Sequence, residues 1–123
     1  TVAAIINWYG ITDVVGLMQG PPGASGNFTE AWLGSRSDRA EVAQRVSPLI
    51  YVRAGLPPVL SIHGDADPIV PYDNAVRLHE ALKQAGVPNR LITVPGGGHG
   101  RFTRDENVRI YDAIRAFLTA HKI

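Results

Sequence analysis

The chain has no cysteine, which excludes disulfides and thiolate metal sites but leaves its compartment open. No apolar run approaches the ~20 residues that cross a bilayer, so no membrane-spanning helix is expected. Charge of a dominant sign is also lacking: 12 Lys and Arg stand against 11 Asp and Glu, a formal net charge of +1. Such a balance offers no field to draw in nucleic acid or an anionic membrane. There is no internal repeat and no long charge run. The 123 residues, 45% of them apolar, suit one globular domain. The start shows neither an initiator methionine nor a basic-then-apolar leader; the chain opens directly on "TVAAII", which reads as buried strand.

What is present is a set of short apolar runs, each followed by turn chemistry. "VAAII" (Val2–Ile6), "PVLSI" (Pro58–Ile62) and "RLITV" (Arg90–Val94) are nearly continuous rather than alternating, the pattern of parallel strands covered on both faces. They run into Tyr9-Gly10, His63-Gly64-Asp65 and Pro95-Gly96-Gly97-Gly98. Between the second and third runs, Ala75, Leu78, Leu82 and Ala85 recur at helical spacing, with Asp73 expected as the cap and Gly86 and Pro88 as the stop. After the third run, Val108, Tyr111, Ile114, Phe117 and Leu118 predict an amphipathic helix from Asp105 to Ala120. The result is a βαβα order, an α/β fold of about three parallel strands flanked by helices, with a right-handed crossover expected.

The stretch from Leu17 to Leu56 is less regular. "GPPGASGN" (Gly20–Asn27) reads as loop, "TEAWL" as a single helical turn, and "SDRAEVAQRV" as a short helix capped by Ser37 or Asp38. The glycines of Gly20–Asn27 lack the following Lys and the helix that a phosphate loop requires, so nucleotide binding is not expected there.

The chemistry-bearing residues stand at two run ends. "HGDADPIVP" (His63–Pro71) follows the second strand and "PGGGHG" (Pro95–Gly100) follows the third. Adjacent parallel strands lie about 5 Å apart, and the carboxyl edge of such a sheet is where sites form. Asp67 and His99 should therefore emerge side by side on one rim. A carboxylate that accepts from Nδ1–H fixes the tautomer of a histidine and leaves Nε2 free as a general base. Glycines around His99 let its loop bend toward the acid. The plainer alternative makes Asp67 a turn or cap residue and His99 a surface side chain.

"PPVLSIHGDADPIVPYDNAVRLHEALKQAGVP" followed by "LITVPGGGHGRF" resembles the C-terminal part of the α/β-hydrolase fold. It is nearest the esterase/lipase group of feruloyl- and acetylxylan-esterase-like enzymes and hormone-sensitive-lipase relatives. "AAIINWYGITDV" and "RVSPLIYVRAGLPP" resemble further segments of that group. The resemblance implies Asp67 as triad acid and His99 as triad base of a serine hydrolase acting on small-molecule carboxylic esters, with no metal or organic cofactor. It leaves Asp65 as a structural residue bonding the backbone of its own turn.

The nucleophile of that family, a Ser in G-x-S-x-G at a strand–turn–helix elbow, has no counterpart. Gly16 and Gly20 enclose Met18, and Gly96 and Gly100 enclose Gly98. Ser25, Ser35, Ser37 and Ser47 fall in loop or short-helix contexts, and Ser61 lies inside an expected strand. The His-Gly-rich oxyanion segment is absent as well. The expectation is a single partial domain, the acid/base half, with its first strand left unpaired at one edge. Such a chain should form a homo-oligomer or a complex with the missing N-terminal half. Two alternatives stay open: a catalytically inert, self-associating α/β module, and a fragment of a prolyl-oligopeptidase-type peptidase.

Other candidates have weaker signals. His63 and His79 with Asp65 and Asp67 match no metal-ligand spacing and read as turn or surface residues. His121 carries no assignment. Trp8 and Tyr9 fit equally an acyl or aromatic pocket and rim packing. Ile69 and Val70 should anchor the acid loop, and Phe102 is placed to shield the base.

Overall fold

A computed structural model describes residues 2–20 and 24–123. Three parallel strands form one sheet in the order β1 (Ile5–Trp8), β2 (Val59–Gly64), β3 (Asn89–Val94). Between β1 and β2 run three short helices, α1 (Val14–Gln19), α2 (Ala24–Leu33) and α3 (Arg39–Arg45), and a 3₁₀ turn at Pro48–Tyr51. Helix α4 (Asp73–Gln84) joins β2 to β3, and α5 (Arg104–Ala120) follows β3.

The first strand lies a few residues later than its apolar run suggests. Ile5 pairs with Val59 and Trp8 with Ile62. Pro57 and Pro58 have no amide hydrogen to give a ladder, so pairing starts where Ile5 N–H donates to the Pro58 carbonyl at 2.9 Å. Only the central strand is buried on both faces, over its whole length; β1 and β3 are half-exposed edges.

Strand alternation explains how β2 serves two different environments. Leu60 and Ile62 face α5 and join Val94, Ile110 and Phe117 in one core cluster, with Ile6, Trp8 and Ile92 packed against it. The opposite positions, Val59, Ser61 and His63, belong to the α4 side, where Val59 packs with Leu78, Leu82 and Val87. One face is purely apolar; the other alternates an apolar start with two buried polar groups. Truncating Phe117 to Ala should cost about 3–5 kcal/mol through lost burial and the cavity left behind.

Helix ends follow local chemistry, with three departures from expectation. Thr103 caps α5 and exchanges bonds with Glu106 in a capping box, and Gly86, at φ +70°, ends α4. Asp73, however, is the first helical residue of α4. Tyr72 holds the cap position with helical dihedrals and no side-chain cap bond, and Asp73 lies 4.0 Å from Arg77. Asp38 occupies the α3 cap position without a capping bond, because its carboxylate forks onto the Arg36 guanidinium. Of the expected loop Gly20–Asn27, residues 21–23 lie outside the described residues, and Ala24 onward is already helix α2. Leu33 at its far end packs with Val14 and Ala43, and this tertiary contact outweighs the low helix propensity of Gly26 and Asn27. Among the described residues, no helix is long and apolar enough to cross a membrane.

Candidate active site

The loops leaving β2 and β3 are stitched together before either presents a side chain. Asp65 N–H donates to the Val94 carbonyl at 3.2 Å, Ala66 N–H to the Gly97 carbonyl at 3.1 Å, and Gly96 N–H to Asp65 Oδ1 at 2.6 Å. Asp65 is thus structural, but it binds the neighbouring turn rather than its own. Gly64 makes the close approach possible: a Cβ there would run into the Gly97 and Gly98 carbonyl oxygens. The glycines after β3 answer to the glycine at the end of β2.

This stitching brings Asp67 and His99 together, with Nδ1 2.9 Å from Oδ2. The Asp67 side chain is fully buried, whereas His99 keeps 34% of its side-chain surface exposed. Burial alone would push the Asp67 carboxyl up. The amide donors of Val70, the His99 imidazole and the amide of Ile69 outweigh it and hold the carboxyl below its ordinary value. Both amides reach Oδ1, at 2.9 and 2.8 Å. Asp67 is therefore a carboxylate, Nδ1 of His99 donates to it, and Nε2 is the nitrogen left to exchange a proton.

Tyr9 completes the pair's surroundings from the end of β1. Its backbone sits at φ +40°, a region costly for a bulky residue and found where the surroundings over-determine it. Its ring lies 4.5 Å from the His99 ring. Gly100, at φ +76°, leaves room for it, since a Cβ there would stand 2.6 Å from the tyrosine oxygen. Phe102 packs on the core and edge-on to Tyr9, so the aromatic face against the imidazole is that of Tyr9. Trp8, Tyr9, Ile11, Leu17, Ile69 and Val70 line a cleft of about 310 Å³ that His99 borders. Val70 is buried and anchors the acid loop, while Ile69 is exposed at the cleft. A larger apolar cleft of about 550 Å³ lies along Ile5, Ile11, Val46, Val52, Leu78 and Leu82, and neither Asp67 nor His99 lines it.

Two of the remaining histidines differ from their sequence reading, while the serines keep to the loop, short-helix and strand settings expected of them. His63 and His79 are buried, not surface residues. His63 Nε2 lies 2.9 Å from the Val70 carbonyl and 3.3 Å from Asp67 Oδ2. His79 bonds Asn89 Oδ1 at 2.9 Å and Ser61 Oγ at 2.7 Å. The signal was present in β2, where period-two alternation puts Val59, Ser61 and His63 on one face. Ser47 bonds the Ala43 carbonyl and the Val14 amide. Ser35 and Ser37 are exposed in the segment between α2 and α3, and Ser25 lies in α2. Among the described residues, no group of His, Cys, Asp and Glu side chains is arranged to hold a metal ion.

Three comparisons bear on this architecture. Residues 1–82, which include Asp67 and stop short of His99, match the model of the BD-FAE family, α/β-hydrolases of esterase type. A truncated carbohydrate esterase from gut microbiota superposes with a TM-score of 0.76 at 31% identity, covering 96% of this chain and 43% of the esterase. A puromycin-hydrolysing peptidase of Mycobacterium tuberculosis superposes with a TM-score of 0.82 at 26% identity, covering 93% of this chain and 17% of the peptidase. Over 62 residues the chain is 44% identical to a non-reducing polyketide synthase of Acremonium egyptiacum, a match to 49% of this chain and 3% of that protein. The chain thus spans less than half of each of these relatives.

Proposed function

Because the chain belongs to the BD-FAE family of α/β-hydrolases, we propose that it carries the acid and the base of a serine hydrolase acting on carboxylic esters. Asp67 orients His99 and stabilises its imidazolium, and His99 Nε2 takes the proton of an attacking serine hydroxyl. The serine oxygen bonds to the ester carbonyl carbon, the alcohol leaves with the proton returned by His99, and water then releases the acid by the same route. The serine and the oxyanion donors come from a segment outside this sequence, which adds to the open side of β1. The cleft beside His99, walled by Trp8, Ile11, Leu17 and Ile69, suits an uncharged apolar acyl or aryl group. The observation that carries this reading is the 2.9 Å contact between a fully buried carboxylate and a partly exposed imidazole.

A second reading, peptide rather than ester hydrolysis, draws on the similarity to the puromycin-hydrolysing peptidase. The same pair serves an amide leaving group, so the substrate separates the two. A third is an inert module that associates with itself through β1.

One experiment addresses all three. The chain is incubated with a short p-nitrophenyl ester, a p-nitroanilide and a fluorophosphonate probe, alone and with the N-terminal half of a family member. Light scattering is run on both samples. Ester turnover and probe labelling on the added half, only in the mixture, are the expected result. Preferential anilide turnover would favour the peptidase, and labelling of a serine in this chain would refute the proposal. A mixture that assembles yet shows neither turnover nor labelling would leave the inert module.

A further inference from the structure

The buried imidazole beneath the acid has no part in the chemistry above. His63 stands next to last in β2 with no side-chain exposure, in a plane of the sheet where an apolar side chain would pack. Its Nδ1 is buried and finds no partner among the described residues. Burying a polar ring with one nitrogen unmatched is unfavourable, so the choice of imidazole has to be explained by the other nitrogen. A carbonyl can only accept, so the 2.9 Å contact with the Val70 oxygen means that Nε2 bears the hydrogen. The same nitrogen lies 3.3 Å from Asp67 Oδ2, a close polar contact inside the fold.

We propose that His63 is a positioning residue for the Asp67–His99 pair: its Nε2–H holds the Val70 carbonyl, and the same nitrogen, set against Asp67 Oδ2, keeps the carboxylate in the orientation that His99 reads. This rests on the acid–base reading above and deepens it. The carboxylate accepts three hydrogen bonds and has a fourth nitrogen against it. The amides of Ile69 and Val70 fill Oδ1, His99 bonds Oδ2, and His63 Nε2 lies 3.3 Å from that second oxygen. The Ile69 and Val70 amides alone would let Asp67 turn about the Oδ1 side. The ring from β2, the most deeply buried strand, sets the second oxygen against the sheet. His63 is in turn held edge-on by Tyr72 at 5.8 Å, whose hydroxyl lies 2.5 Å from Thr93 Oγ1. A chain of contacts therefore links β3, the start of α4, β2 and the acid loop to the base.

The test uses side-chain NMR of the 123-residue chain. In the unsubstituted chain, His99 should show the Nδ1–H tautomer with a strongly downfield proton. In His63→Leu, folded by its amide spectrum, that proton should be lost and the Nδ1–H population should fall severalfold. His63→Gln, with an amide N–H in place of Nε2–H, should restore it. Folded His63→Leu with an unchanged His99 signal would overturn the proposal, as would failure of Gln to restore what Leu removes. Asp67→Asn reads the same link from the other side and does not depend on the leucine variant folding. The ring signals of His63 and His99 should both shift, and a change confined to His99 would overturn the proposal. Absence of the Nδ1–H signal in the unsubstituted chain would sink the acid–base reading instead.

Discussion

Two polar constellations are built around β2, one within the strand and one beyond its end, and the one that looks more like a catalytic triad is the less able to act. In the interior, Ser61 Oγ is 2.7 Å from His79 Nε2, and His79 Nδ1 is 2.9 Å from Asn89 Oδ1. At the rim, Asp67 and His99 meet with no serine hydrogen-bonded to them among the described residues. The interior set is sealed: Ser61 has no exposure and His79 only 7%. Ser61 also receives the Asn7 amide at 3.1 Å, so its oxygen is occupied on both sides. Burial lowers the His79 pKa, against the opposing effect of Asn89, and keeps the ring neutral. The rim pair combines a buried, ionised acid with an imidazole that solvent can reach. Access, not the hydroxyl–imidazole–amide pattern, separates a core network from a site.

The sharpest way to break this comparison is activity. In the enzyme completed by its nucleophile segment, Asp67→Asn should cost about four orders of magnitude in kcat through the wrong tautomer, and His99→Ala a comparable loss. Ser61→Ala should leave kcat within about twofold, since a group without exposure contacts no substrate. A steady-state assay that finds Ser61→Ala inactive and Asp67→Asn near normal would reverse the assignment.

Stability should rank the two the other way. Ser61→Ala leaves His79 Nε2 and the Asn7 amide without their partner in the interior, a loss of about 1–3 kcal/mol, read as a lower urea midpoint with an unchanged slope. His99→Ala, on a partly exposed ring, should move that midpoint much less. Equal shifts would mean that the rim pair is as structural as the interior set.

The smallest effect is in pH. The folded pKa of His79 lies below its ordinary 6.5, so the unfolded chain binds the proton first as pH falls. Stability present above about 6.5 should therefore decline below it, by at most about 1.4 kcal/mol per pH unit, and level off below the folded value. Asp67, lowered from 3.8, adds stability that is complete above that value and lost as pH falls through its folded pKa. Urea midpoints between pH 7 and 5 should flatten in His79→Gln. An equally steep decline in that variant would remove His79 as the source.

Much of this was legible in the residues. The βαβα order from Val59 onward follows from apolar runs bounded by Gly and Pro, and the rim position of Asp67 and His99 follows from parallel strand ends. Helix α3 was legible too, whereas α1 and the full length of α2 were not. Helix α1 is only six residues long and is capped by Asp13, whose carboxylate accepts from Gly16 N–H at 3.0 Å and pairs with Arg77; the last contact spans 64 residues of sequence. Asn74, on the distant helix α4, likewise accepts from the Thr12 and Asp13 amides just before α1. Long-range bonds of this kind leave no local period to read. His63 hides in a strand that looks uniformly apolar until its two faces are separated, and the burial of His79 on α4 depends on its bond to Ser61 in β2.

The turn after β3 carries a lesson about glycine. Gly96 and Gly97 amides and the Gly97 and Gly98 carbonyls all have backbone or Asp65 partners, so the segment is a lattice of short bonds, not a swinging tether. Small residues there supply room for one strand exit to lie flush on another. The entropy forfeited on ordering each of them, of the order of 0.5–1 kcal/mol more than for alanine, is the thermodynamic toll of an imidazole mounted on a stiff arm.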